Sequence, residues 1–208
     1  MLDTKQKILD TAERLFGGQG YGATSLRQVI VEAEVNVAAV HYHFGSKEDL
    51  LDAVVNRKAG PLTQARLELL DKAEQNAHGG PPDLEQVLGA FLLPTAELAQ
   101  RNPMFARFMG RMLTEGIMPR IVERHFQESA TRFVAALQRA APHLQPEELH
   151  WRVHFMIGAM AHTMSAHPLL RVTEGSTDYV TRIRRLVCFL TAGFRAPGES
   201  ARFEERAL

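Results

Sequence analysis

The 208 residues, 45% apolar and 23% charged, suffice for a small N-terminal module and a larger domain with its own core. The longest apolar stretch, Phe155 to Ala161, is far short of the roughly 20 residues a membrane helix needs, so no membrane partner is expected. No basic segment followed by an apolar one opens the chain, and Cys188 is the single cysteine, which together point to a reducing, cytoplasmic setting. Twenty-four basic residues balance 24 acidic ones, and the first fifty carry five cations against seven anions, a net −2. A diffuse basic field is thereby excluded, and any nucleic-acid contact must rest on a few placed cations and backbone dipoles.

Helical periodicity runs nearly throughout, without two-residue alternation. Ile8, Ala12, Leu15 and Phe16 mark one face of a first helix, capped by Asp3 or Thr4 and ending at Gly17-Gly18. Thr24 and Ser25 cap a second, short helix carrying Leu26, Val29 and Ile30, and Ser25 with Gln28 has capping-box spacing. A tight break at Ala33-Glu34-Val35 leads to Asn36, the cap of a third helix from Val37 to His43. Ser46-Lys47-Glu48-Asp49 opens a fourth, with Leu50, Leu51, Val54 and Val55 inward. Gly60-Pro61 predicts a kink or break there, since proline removes an amide donor and clashes one turn back. The pattern stops at His78-Gly79-Gly80-Pro81-Pro82, and further helices are predicted near 83–101, 103–115, 117–141, 146–166 and 177–195.

The expected class is therefore all-α, with about nine helices in all. Residues 1–50 are expected to form a three-helix helix-turn-helix domain, residues 51–198 a larger helical domain, and residues 199–208 a frayed tail. In a helix-turn-helix the second helix of the pair enters the major groove. Here Val37, Ala38 and Ala39 are small enough for close approach to base edges and offer apolar contact to thymine methyls. His41, Tyr42 and His43 follow one turn later with donors for phosphates. Lys47, Thr24 and Ser25 stand at helix starts, where backbone amides already attract phosphate, and Arg27 projects from the outer face of the second helix.

The run Gly20-Tyr21-Gly22-Ala23-Thr24-Ser25, followed by Val35-Asn36-Val37-Ala38-Ala39-Val40-His41-Tyr42-His43-Phe44-Gly45-Ser46-Lys47-Glu48, resembles the TetR family of regulators. The resemblance runs from about Lys5 to Val55 with matching spacing, and Tyr42-His43-Phe44 with Lys47 is its most specific part. It implies an all-helical homodimer with a DNA-binding domain at residues 1–50 and a ligand-binding and dimerisation domain at residues 51–198. Two reading helices about one DNA turn apart match a palindromic double-stranded operator. No nucleophile–base pairing or phosphate-cradling glycine loop is present, so no enzymatic activity and no cofactor are expected. By this resemblance Thr24, Ser25, Tyr42, His43 and Lys47 match phosphate contacts, while Val37, Ala38, Ala39 and His41 match positions facing the bases or nearby backbone. Two positions depart from the family pattern: Glu34 stands where a glycine is common, and His41 replaces a frequent tyrosine. If position 34 needs a positive φ, glutamate costs on the order of 1 kcal/mol there.

Seven of the eight methionines lie between Met104 and Met164, accompanied by phenylalanines. A Met-plus-Phe lining suits a small-molecule effector with a long, variable apolar body, and Phe91, Phe105, Phe108, Met109 and Met112 are the pocket candidates. The segment Trp151-Arg152-Val153-His154-Phe155-Met156-Ile157-Gly158-Ala159, with Leu169-Leu170-Arg171, resembles the long-chain fatty-acid-responsive branch of that family, which implies a fatty acid or acyl effector. An aromatic or xenobiotic effector on the same fold, or a helical interaction protein that has lost DNA binding, are the competing readings. The last two helices carry the expected dimer face, Trp151 and Phe155 on one, Ile183, Val187 and Leu190 on the other. His150, His154 and His162 lack a carboxylate or cysteine at ligand spacing, so no metal is expected. Cys188 is expected to be buried. Effector binding within 83–141 is expected to swing the fourth helix about Gly60-Pro61.

Overall fold

The computed structural model describes residues 3–164 and 178–198. Over these the chain forms ten helices and no strand: α1 (Thr4–Gln19), α2 (Leu26–Glu32), α3 (Val37–His43), α4 (Lys47–Asn76), α5 (Leu84–Arg101), α6 (Pro103–Thr114), α7 (Met118–His125), α8 (Gln127–Ala140), α9 (Pro146–Met164) and α10 (Tyr179–Arg195). The tail after residue 198 and Leu169-Leu170-Arg171 lie outside the described residues.

Two compact units divide the chain, and the division does not follow the expected boundary at residue 50. The first unit runs to Leu62 and takes in Arg101–Gln127; the second comprises Thr63–Gln100 and the chain from Glu128 onward. The first boundary moves because Leu50, Leu51, Val54 and Val55 are wholly buried in the first unit's core. Buried in the same unit are Ile8, Ala12 and Phe16 of α1, Val40 of α3, Phe105, Phe108 and Met112 of α6, and Ile121 of α7. Phe16 stacks on Phe108 with ring centres 6.1 Å apart. Each buried phenylalanine or methionine of α6 contributes about 1.5–3 kcal/mol of transfer free energy, so α6 is a structural part of this unit.

Three boundaries differ from the periodicity. Helix α1 runs through Gly17 and Gly18 to Gln19. At Gly17 the missing side chain serves close approach, since a Cβ there would lie 2.9 Å from both the Met104 carbonyl oxygen and its sulfur. Helix α4 is continuous across Gly60-Pro61. Both residues face solvent while Val55, Ala59, Leu62 and Leu70 keep the helical stripe buried on either side, so packing outweighs the one lost amide bond. The expected 117–141 helix is two helices, because buried Phe126 leaves helical geometry (φ −133°, ψ 0°) between α7 and α8.

In the second unit, Leu70, Val87, Leu88, Leu92, Ala136, Leu144, Ile183 and Phe194 are among the most deeply buried side chains. Arg66 is buried too: its Nε donates to the Phe91 carbonyl (2.9 Å), an Nη to Thr95 Oγ1 (2.7 Å), and its guanidinium lies 4.0 Å from the centre of the Phe91 ring. Burial pushes this guanidinium down to about 9. Arg152 of α9 closes the end of α10, donating to the carbonyls of Gly193 (2.6 Å), Ala196 (2.8 Å) and Pro197 (2.9 Å) while pairing with Glu148 (2.7 Å). A planar guanidinium over helix-terminal carbonyls satisfies groups that have no intrahelical donor.

Candidate nucleic-acid interface

Two side-chain caps set the short helices. Ser25 Oγ accepts from the Gln28 amide (3.1 Å), and Asn36 Oδ1 accepts from the Ala38 amide (2.9 Å). Between them α2 ends in a Schellman turn: the Glu34 amide donates to Val31 (3.2 Å) and the Val35 amide to Ile30 (3.2 Å). Glu34 occupies the left-handed position of that turn at φ +53°, so the strain anticipated for a glutamate there is present. Val29, Val40 and Phe44 are buried, which fixes the faces that the two helices turn outward.

What faces outward on α3 is small or polar, with one large exception. Val37 is 54% exposed and Tyr42 86%; Ala38 and His41 are exposed, and Ala39 is half-buried. His41 Nδ1 donates to the Gly45 carbonyl (3.2 Å), which orients its ring. His43 meets Tyr42 edge-on with ring centres 5.1 Å apart. Ser25 and Arg27 are exposed at the start of α2. Lys47 holds its ammonium 4.1 Å from the centre of the Tyr21 ring. Burial lowers its pKa, and the nearby charge of Glu115 works in the opposite direction.

Thr24 requires a correction. It is 2% exposed; its hydroxyl donates to the Gly20 carbonyl (2.7 Å) and accepts from Gln19 Nε2 (3.2 Å). That hydroxyl is spent inside the fold and is not presented to a phosphate. It belongs to a polar strip joining α1 to α2, in which Gln19 and Gln28 exchange hydrogen bonds, Gln28 donates to Glu32 (3.1 Å) and Arg14 pairs with Glu32 (2.5 Å). The Arg14 hydrogen bond is the largest of the causes that hold the Glu32 carboxyl below its ordinary range.

The negative balance of the first fifty residues is answered from a distant part of the chain. Residues 101–127 bring five arginines against two glutamates, and with Asp52, Arg57 and Lys58 they carry the unit from −2 to +2. Arg120 pairs with Glu48 (3.1 Å), Arg124 and His125 with Asp52, and Arg57 with Asp10 (2.5 Å) and Glu13. Four acids of this unit, Asp10, Glu13, Glu48 and Asp52, are thus engaged by cations 44–73 residues away in sequence, beyond any local pattern.

The other predicted sites divide. Phe105, Phe108 and Met112 are buried in the first unit and Met109 is half-buried there, while Phe91 belongs to the second, packed edge-on against Phe133 at 5.1 Å. Of the dimer-face candidates, Trp151 and Phe155 are 50% and 60% exposed. Ile183, Val187 and Leu190 are buried within their own protomer, because the apolar stripe of α10 is consumed by its own unit. The outward face of α10 carries Phe189, 72% exposed, beside Cys188, which is exposed rather than buried.

Two short capped helices on a compact helical support, with the second turned outward, define a helix-turn-helix protein of the all-α class. The family model for bacterial regulatory proteins of the tetR family matches residues 8–54, and the model for the tetracyclin repressor-like C-terminal domain matches residues 89–193. The chain belongs to the TetR family, whose members are non-enzymatic regulators. Over 110 residues it is 33% identical to an HTH-type transcriptional repressor of Mycobacterium tuberculosis (strain H37Rv), a match covering 49% of this chain and 55% of that one. Over 78 residues it is 36% identical to the HTH-type transcriptional regulator LmrA of Bacillus subtilis (strain 168), covering 37% and 42%. The chain thus spans about half the length of the curated relatives it matches. Among solved structures its fold is similar to the fatty acid degradation regulator FadR from Bacillus halodurans, with a TM-score of 0.64 and 14% identity over 94% of this chain and 98% of that one. It is similar also to the TetR family regulator PfmR from Thermus thermophilus, with a TM-score of 0.63 and 20% identity over 89% and 97%.

Proposed function

We propose that this chain is a ligand-responsive transcriptional repressor that binds palindromic operator DNA as a homodimer in the cytoplasm. The observation that carries the reading is the outward face of α3, where Val37, Ala38 and Ala39 stand at the capped N-terminal side and His41 one turn on, opposite buried Val40 and the buried C-cap residue Phe44. Small side chains there let the helix enter the major groove, and Ser25, Arg27, Tyr42, His43 and Lys47 surround it with phosphate donors. The dimer face is the exposed aromatic surface of Trp151, Phe155 and Phe189, and a two-fold pairing there buries apolar area that one protomer leaves in water. Among the described residues no helix is long and apolar enough to cross a membrane.

The proposed effector is a fatty acid or acyl compound. Its support is the sequence resemblance around Trp151-Arg152 together with the Met and Phe content of residues 91–112; the likeness to FadR bears on the fold. A gel shift on DNA from upstream of the chain's own gene tests both parts. Wild-type protein is expected to retard the duplex with a steep salt dependence, and Tyr42→Ala with Lys47→Ala to lose about tenfold or more in affinity. Retained affinity in that double variant would remove the site. Long-chain acyl compounds that leave the shift unchanged would remove the effector class while leaving the DNA reading in place.

A further inference from the structure

The end of α6 grips the turn between α1 and α2. Glu115, just past the helix, accepts a hydrogen bond from the Gly22 amide at Oε2 (2.9 Å). Its carboxylate also fills the place where a side chain at Gly20 would begin: a Cβ there would run into Glu115 Oε1, and Gly20 holds φ +99°. One turn earlier, Arg111 donates from Nε to the Gly17 carbonyl (3.1 Å) and from an Nη to the Gly18 carbonyl (2.7 Å), both at the C-terminal end of α1. A carboxylate on an amide and a guanidinium fork on helix-terminal carbonyls are the stronger kinds of hydrogen bond, and their geometry is directional.

The gripped segment leads directly into the phosphate-facing end of α2. The Gly20 carbonyl receives the Thr24 hydroxyl, Ser25 caps α2, and Tyr21 carries the Lys47 ammonium against its ring. Glu115 also exerts its charge on Lys47. We propose that Arg111 and Glu115 are positioning residues for DNA contact, which hold the 17–22 backbone so that Ser25 and Lys47 stand correctly beside α3. This rests on the DNA-binding reading above, and it makes residues 101–127 a working part of the reading unit.

Hydrogen exchange and DNA binding on the full chain test it together. In Glu115→Ala, exchange at the Gly22 amide accelerates about tenfold and affinity for the upstream duplex drops about five- to tenfold, with the melting temperature within a few degrees of wild type. Glu115→Gln, which keeps an acceptor oxygen, restores most of both. Where Glu115→Ala melts much lower, Arg111→Lys, which keeps the charge and loses the fork, takes its place, with DNA affinity read against exchange at Gly20 and Gly22. Unchanged Gly22 exchange overturns the clamp. Faster exchange with unchanged DNA affinity overturns the positioning role, as does a Glu115→Gln variant that binds no better than Glu115→Ala. If wild-type protein binds no duplex, the regulator reading falls and the positioning role with it, and Gly22 exchange then judges the clamp alone.

Discussion

Both α3 and the α9–α10 pair turn apolar side chains to water, and they do so in different company. On α3, Val37 and two alanines sit over a capped helix start, and the one large ring, Tyr42, carries a hydroxyl. On α9, Trp151 stacks on Phe155 with ring centres 5.8 Å apart, and α10 adds Phe189. Exposure by itself therefore names no partner. A thin apolar strip beside amide and hydroxyl donors fits a groove edged by phosphates, whereas stacked aromatics of this size fit another protein surface.

The sharpest way to break that contrast is to charge the aromatic face. Trp151→Glu with Phe189→Glu places carboxylates where a two-fold partner would bury them, so sedimentation should find monomer, and DNA affinity should fall with it. A double variant that sediments like wild type would reassign the face. Next in size, Arg152→Ala removes the guanidinium fork at the end of α10, leaving the Gly193 carbonyl to the Ala196 amide (3.3 Å) and the Ala196 carbonyl to His143 (3.3 Å). The expected loss is about 2–3 kcal/mol in denaturant unfolding, and a change under about 0.5 kcal/mol would mean that water replaces the fork.

Glu34→Gly should act in the opposite direction, relieving the left-handed turn and raising stability by about 1 kcal/mol. If DNA binding tightens as well, the glutamate charge was also opposing phosphate. The smallest effect is on acid sensitivity. Hydrogen bonds hold the Glu32 and Asp178 carboxyls below their ordinary values, from Arg14 to the first and chiefly from the Thr181 amide to the second. A depressed carboxyl stabilises the fold above its unfolded pKa, and that contribution is lost as pH falls through the folded value. Wild type should therefore lose melting temperature below about pH 4.5, and Glu32→Gln with Asp178→Asn should show a shallower acid limb.

The reading helices were legible because their determinants are local. Ser25 caps three residues ahead of its partner, Asn36 two, and the left-handed need of the Schellman turn falls on a position that the family fills with glycine. Thr24 misled for the same reason: its cap-like place gave no sign that Gly20 and Gln19 would take its hydroxyl. The unit's charge balance and the grip of Arg111 and Glu115 were beyond reach, since those partners lie 44–94 residues apart and no periodicity records them. On α10 the stripe of Ile183, Val187 and Leu190 was visible as a stripe, but periodicity cannot tell a face that packs within its own chain from one that awaits a second.

Trp151 is the only tryptophan in 208 residues, and it stands half in water on that outward face. The intrinsic fluorescence of the chain is therefore a local reporter. Its indole emission should shift to the blue when a partner covers the ring and return to the red on dilution, with no label attached. A titration of emission maximum against concentration reads the affinity of that face directly, while changes confined to α3 pass unseen by it.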